Sequence, residues 1–168
     1  RDGFGNMVHL ASCAGAQTES LIIAKGIVET EDCAGVVRGL TDIAPLSVYR
    51  RQTAKTMAND DIRGLARITN PAAGLRGMHD LMTAVRDAVE YRTGATNSHT
   101  TAADALRDGA GVCQDHAHVF ISAVRSLGVP ARYVSGYLFS GGDEPSEANH
   151  AWVEVWIEDL GWVGFDPA

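Results

Sequence analysis

Lysine is almost absent from this chain: Lys25 and Lys55 are the only two in 168 residues, and the rest of the positive charge is arginine. Against 14 basic residues stand 21 acidic ones, a formal net charge of -7 with the acids scattered. That balance lacks the basic face expected of a nucleic-acid binder. Long apolar runs are missing too. None approaches the roughly 20 residues a helix needs to cross a bilayer, so no membrane partner is expected. No basic segment leads into an apolar stretch with a small-residue cleavage site. The three cysteines, Cys13, Cys33 and Cys113, are too few and too widely spaced for a disulfide framework. A reducing, cytoplasmic setting is therefore the default. The chain opens at Arg1 and stops at Ala168 in what reads as a strand, so both ends are expected to be cut from something longer.

What is present suffices for a folded domain with a smaller companion. Hydrophobic residues make up 45% of the chain, enough to build a buried core. Residues 1–45 read as a β-rich N-terminal region, with strand-length stretches at Met7–Ala14 and Ser20–Glu29 punctuated by Gly3, Gly5-Asn6 and Gly15. Residues 46–70 read as a connection with a short helix, capped by Asn59-Asp60-Asp61 and ended by Asn70-Pro71. The remainder, 71–168, carries helices first and strands after. Met78, Leu81, Met82, Val85, Val89 and Arg92 recur at helical spacing and predict a helix ending before Gly94. Thr101 with Asp104 opens a short helix that Gly109 closes, and another runs from about Cys113 to Leu127, with Gly128 and Pro130 behind it. Strand signals follow at 131–138, 148–157 and 162–166. Helices followed by an antiparallel sheet make an α+β core. The loop Ser140–Glu147 is expected to be exposed and mobile.

Three residues stand out chemically. Cys113 follows Gly109-Ala110-Gly111-Val112 at the first turn of its helix. Unpaired N–H groups and the positive end of the helix dipole favour a thiolate there and can face an oxyanion. Cys113 also shares a helical stripe with Ala117, Phe120, Val124 and Leu127, so it points into the fold. A thiol nucleophile needs a base. Among six histidines (His9, His79, His99, His116, His118, His150), His150 opens the strand Ala151-Trp152-Val153-Glu154 beside the expected mobile loop. His116 is the local rival, three residues after Cys113 on the same helix face. His118 lies about 140° around an ideal helix from Cys113 and is poorly aimed. Asp166, ending the last strand, is the candidate to orient His150. Side chains alternate along a strand, so a two-residue turn pairing Glu158 with Gly161 would set Asp166 opposite Val153, on the wrong face for His150. The pairing of His150 with Asp166 thus requires an odd-numbered loop or a bulge near Gly161.

Other constellations are weaker. Cys113, His116 and His118 lack the fourth ligand and the aim that a zinc site needs, and no metal or cofactor is expected. Gly109-Ala110-Gly111 follows a helix where a phosphate loop follows a strand. Ser135 lacks the glycines of a nucleophile elbow. Trp152, Trp156 and Trp162 sit at strand spacing, as core or groove wall.

The stretch Gly111-Val112-Cys113-Gln114-Asp115-His116-Ala117-His118 resembles the nucleophile motif of the bacterial transglutaminase-like superfamily, some of whose members are described as candidate cysteine proteases. Gly128-Val129-Pro130-Ala131-Arg132-Tyr133-Val134-Ser135-Gly136-Tyr137 is similar to the next motif of that family. His150-Ala151-Trp152-Val153-Glu154 and Gly161-Trp162-Val163-Gly164-Phe165-Asp166-Pro167 resemble its histidine and aspartate motifs. Asp2-Gly3-Phe4-Gly5-Asn6 is similar to the β-rich region that precedes this core in bacterial members. The resemblance implies a papain-like arrangement, the cysteine-bearing helix packed on an antiparallel sheet that carries the histidine and aspartate. It also implies acyl transfer through a thioester on a peptide or protein substrate, to water in a peptidase or amidase and to an amine in a true transglutaminase. Animal transglutaminases place an oxyanion-stabilising tryptophan upstream of the cysteine, and here none precedes Trp152. Gln114 and Tyr91, with Trp152 and Tyr137, are the remaining candidates for oxyanion or substrate contact. A scaffold domain without turnover is the reading from another class, weakened by retention of all three residue types. A redox sensor using Cys113 alone is a third.

Overall fold

A computed structural model describes residues 1–15, 18–23, 26–70, 73–138 and 149–168. The polar caps in the sequence start the helices they announce. Asn59 accepts from the Ile62 N–H at 2.9 Å and opens α1 (Asp60–Ala66). Thr101 and Asp104 close a reciprocal capping box on α3 (Ala102–Asp108). Between them lie α2 (Gly74–Ala88) and β1 (Glu90–Tyr91); β2 (Ala110–Gly111) follows α3 and leads into α4 (Cys113–Ser126). The sheet comes last: β3 (Ala131–Tyr137), β4 (Asn149–Ile157) and β5 (Gly161–Phe165), antiparallel in the order β3-β4-β5. Two short 3-10 turns, Val48–Arg50 and Ala54–Thr56, lie in the connection before α1.

Helix α4 is the centre of the α+β core. Its run from Asp115 to Val124 is buried almost without interruption, packed by α1, α2 and α3 on one side and by β3 and β4 on the other. On β4 the residues that alternate toward α4, Ala151, Val153 and Val155, are at most 2% exposed. Phe120 of α4 meets Phe165 of β5 with ring centroids 5.7 Å apart, so the helix and the outer strand share one core. Arg125, near the end of α4, donates to the Ala131 and Arg51 carbonyls and fixes how the helix hands the chain to β3.

Two expectations need correcting. The helix expected to reach almost to Gly94 stops at Ala88. Glu90 and Arg92 instead donate to the Gly109 and Gly111 carbonyls, and β1 pairs in parallel with β2. That tertiary pairing takes Val89 to Arg92 out of the helix despite their spacing. In the N-terminal region, Met7–Ala14 and the described residues of Ser20–Glu29 form no strand. Leu10, Ile22 and Ile27 are more than 90% exposed, and a strand without a partner has no ladder to hold it. Among the described residues of this region, Gly35–Val37 joins the sheet, covering the free edge of β5 through a bridge between Val36 and Val163. Asp42 continues this contact, accepting from Trp162 Nε1 at 2.7 Å and from Arg132 at 2.9 Å. Pro71, expected to end the short helix, and the loop Ser140–Glu147 lie outside the described residues, as does Ala148. No described helix is long and apolar enough to cross a membrane.

Two consequences can be measured. Phe120→Ala removes a fully buried ring from the contact between α4 and β5 and should cost about 3–5 kcal/mol in urea unfolding, with little change in the slope. His118 of α4 is held below its ordinary pKa, chiefly by burial and also by the charges of Lys55 and Arg125, with Asp115 acting the other way. The unfolded chain therefore takes up a proton at this residue as the pH falls through about 6.5, while the folded chain does not. Stability is lost as the pH drops through that window. Urea unfolding at pH 7.5 and 5.5 should show a shallower loss for His118→Gln than for the native sequence. A constant cost of the substitution leaves that difference in slope untouched.

Candidate functional site

The turn between β4 and β5 decides whether His150 and Asp166 can meet. Ile157 pairs with Gly161 and Val153 with Phe165, so Glu158, Asp159 and Leu160 form a loop of three residues. Asp159 and Gly161 take positive φ values of 70° and 81° to close it. The odd number shifts the register by one, sets Asp166 next in line opposite Trp152, and so puts it on the face of His150. There His150 Nε2 and Asp166 Oδ2 are 2.7 Å apart. The bond fixes Nε2 as the donor to the carboxylate. Arg86 of α2 also approaches the Asp166 carbonyl, at 3.4 Å. The His150 side chain is 15% exposed and that of Asp166 47%.

Cys113 is the first residue of α4, a free and half-buried thiol. Its helix starts there because of a carboxylate. Asp115, 1% exposed, accepts from the Val112 N–H at 2.9 Å and from the Thr96 hydroxyl. Gly111 makes room for it: a Cβ at that position would sit 2.6 Å from the Asp115 Cβ. The Cys113 side chain makes no hydrogen bond to His150 or to any other described residue. The structure thus brings His150 and Asp166 together and puts Cys113 at a helix start, without a direct bond between thiol and imidazole. Catalytic hydrogen bonds commonly tighten only when substrate is bound.

The rival base is otherwise engaged. His116 is 1% exposed, with Nδ1 at 2.9 Å from the Val112 carbonyl and Nε2 at 2.7 Å from the Val89 carbonyl. Both ring nitrogens lie within hydrogen-bond distance of backbone carbonyls, one at the start of α4 and the other at the end of α2, and the protonated nitrogen donates. Tyr91 stacks on this ring at 6.0 Å and pairs with Gly111, which places it beside the approach to Cys113. Gln114 is the second residue of α4 and is half-buried. Trp152 lies beside His150. Tyr137, 73% exposed, ends β3 opposite Asn149. Among the described residues, no group of three or more histidines, cysteines or acids could hold a metal ion.

Tyr133 is a neighbour that the sequence reading passed over. Its phenol is held above the ordinary pKa by burial first, and then by the nearby Cys113 and Asp115 charges. It therefore remains a hydrogen-bond donor close to the thiol, its ring 5.4 Å from that of His118. No sequence signal marks it, because its place depends on how β3 packs against α4. Asp115 could have been found: an acid three residues after the residue that precedes a helix is the ordinary partner for that residue's N–H.

Comparison with known proteins agrees with this frame. An uncharacterized protein of Mycobacterium leprae is 30% identical over 180 residues, which take in 99% of this chain and 64% of that protein. The chain thus spans less than two thirds of that relative's length. A protein-glutamine gamma-glutamyltransferase of Pseudomonas aeruginosa is 36% identical over 66 residues, 34% of this chain and 10% of the relative. Among solved structures, a candidate cysteine protease from Cytophaga hutchinsonii superposes with a TM-score of 0.60 at 30% identity, covering 71% of this chain and 40% of that one. The periplasmic domain of TgpA from Pseudomonas aeruginosa gives 0.50 at 27% identity, covering 71% and 46%. The helix-on-sheet core is common to them. The family model of the transglutaminase-like superfamily matches residues 63–167, from within α1 to the residue after Asp166, and the chain belongs to that superfamily.

Proposed function

We propose that this chain is a thiol-dependent acyl-transfer enzyme, a cysteine peptidase or amidase that acts on peptide or side-chain amides. The observation that carries the reading is the His150–Asp166 bond of 2.7 Å, formed through an odd-numbered loop on the strands that follow the cysteine-bearing helix. In the first half of the reaction Cys113 Sγ attacks the amide carbonyl and His150 Nδ1 takes the thiol proton. Collapse of the tetrahedral adduct breaks the C–N bond as that proton passes to the leaving amine, giving a thioester. Water then attacks the thioester with His150 as base, releasing the carboxylic acid and restoring the thiol. Asp166 keeps Nε2 protonated, so that Nδ1 is the free base, and stabilises the imidazolium. The backbone N–H groups at the start of α4 are the natural donors to the oxyanion, with Gln114, Tyr91 and Tyr133 as side-chain candidates.

A second reading, transfer of the acyl group to an amine, is favoured by the likeness to the Pseudomonas protein-glutamine gamma-glutamyltransferase. It uses the same first half-reaction and differs only in what attacks the thioester.

The deciding measurement is Cys113 alkylation against pH with Cys13→Ser and Cys33→Ser in the background. Reaction should set in well below the range of a free thiol, whose pKa is near 8.5, and His150→Ala should return it to that range. On an amide substrate, His150→Ala should lower kcat/KM by roughly 10²–10⁴. Alkylation that rises only near a free thiol's pKa and ignores the histidine would overturn the enzyme reading. Product analysis with a primary amine present separates the readings: free acid marks hydrolysis and an amine adduct marks transfer.

A further inference from the structure

Trp152 stands apart from the other two tryptophans. Trp156 and Trp162 pack edge to face at 5.5 Å, and Trp162 lies beneath the Arg132 guanidinium at 4.2 Å and against Tyr49 and Asp42. Trp152 does not join them. Its indole lies nearly parallel to the His150 ring, with centroids 6.2 Å apart and planes 27° apart. It is also pressed against β3 at one position. There the backbone is bare: a Cβ on Gly136 would sit 2.7 Å and 2.8 Å from two indole carbons. In the register of this sheet Gly136 pairs directly with His150 and Val134 with Trp152, so the indole crosses diagonally to the position facing the imidazole. Trp152 is partly exposed and on the face opposite Val153 and Val155, so the core does not call for this arrangement.

We propose that Gly136 and Trp152 are positioning residues for His150, the glycine letting the indole lie flat on β3 and the indole backing the imidazole in the plane where Nε2 meets Asp166. The role in catalysis rests on the function proposed above; the placement of the ring does not. With Nε2 held by Asp166 and the indole alongside the ring, rotation of the imidazole about χ2 gives up the Asp166 bond and moves the ring against the indole. Nδ1, which makes no hydrogen bond with a described residue, is then left for the thiol. Ordinary alanine at position 136 would push the indole off the sheet and take the imidazole with it.

The test uses three variants of the whole chain: G136A, W152L and the two combined, each checked for an intact unfolding transition. The first readout is the imidazole ¹H–¹⁵N spectrum of His150, assigned by its loss in H150Q. G136A should weaken or abolish the downfield Nε2–H signal of the bond to Asp166, and W152L should do the same. In the W152L background, adding G136A should change nothing further, because the clash it creates needs the indole. The second readout is kcat/KM on an amide substrate, expected to fall tenfold or more in G136A, with the pH profile of Cys113 alkylation moved toward that of His150→Ala. An unchanged His150 spectrum in G136A, or losses that multiply in the double variant, would overturn the proposal. If G136A alone does not fold, the comparison of W152L with the double variant still decides the coupling. A protein with no amide activity but the expected spectra would sink the proposed function and leave this placement standing.

Discussion

A buried carboxylate sets the position from which everything at the site is measured. Asp115 is almost fully removed from water, and the effective cost of burying such a charge is several kcal/mol. Two charge-assisted hydrogen bonds, from the Val112 N–H and the Thr96 hydroxyl, both reach Oδ2 and return about 1.5–3 kcal/mol each, the helix N-terminus adds up to ~2 kcal/mol, and Oδ1 has no partner among the described residues. Those terms are comparable, so the carboxylate stays only where all of them act together, and that place is the first turn of α4. The start of the helix, and with it the height of Cys113, is therefore fixed by a residue that does no chemistry. His116 reinforces it from the next position, tying the Val112 carbonyl to that of Val89. The N–H groups of Cys113 and Gln114, which lie too early in the helix for an intrahelical partner, are left to face an incoming oxyanion.

The other half of the site is fixed by counting. Along β4, odd positions face α4 and even ones carry His150, Trp152 and Glu154. A loop of three residues rather than two moves every β5 side chain to the opposite face, so whether Asp166 or its neighbours share the face of His150 is decided at Asp159 and Gly161, some distance from the site. The two halves are rigid with respect to each other because Phe120 and Phe165 belong to one core. Phe165 immediately precedes Asp166, so the packing that joins α4 to β5 also locates the carboxylate that orients the base.

How much of this the sequence discloses depends on how local the cause is. Asn59, Thr101 with Asp104, and the glycines after α3 and α4 act within a few residues, and α1, α3 and α4 are legible to within a turn. The parity condition on the β4–β5 loop is local too: it can be written down from strand alternation alone, and the register meets it. Where the cause is distant, sequence fails. Val89 to Arg92 carry a helical period, yet the Gly109 and Gly111 carbonyls, about twenty residues later, take the N–H groups of Glu90 and Arg92. Met7–Ala14 reads as a strand because its composition suits one, but composition cannot supply the neighbour a ladder requires. Tyr133 carries no mark of its nearness to Cys113. Gly136 likewise reads as an unremarkable strand glycine until the indole of Trp152 is seen lying on it.

The choice between water and an amine as acceptor turns on solvent access, since both reactions share the thioester. A transferase must hold the thioester while excluding the more abundant nucleophile, which calls for a closed and dry acceptor side. Asp166, the outermost member of the proposed constellation, has 47% of its side chain open to solvent, and Tyr91, beside the approach to Cys113, is 54% exposed. Water reaches both flanks of the site. With Asp166 holding Nε2 and the indole alongside, the proposed base would serve whichever nucleophile arrives, and in an open site the proposed reading puts water first. Hydrolysis is therefore proposed ahead of transfer: the sequence motifs serve either reaction equally, whereas the exposure of Asp166 and Tyr91 favours water.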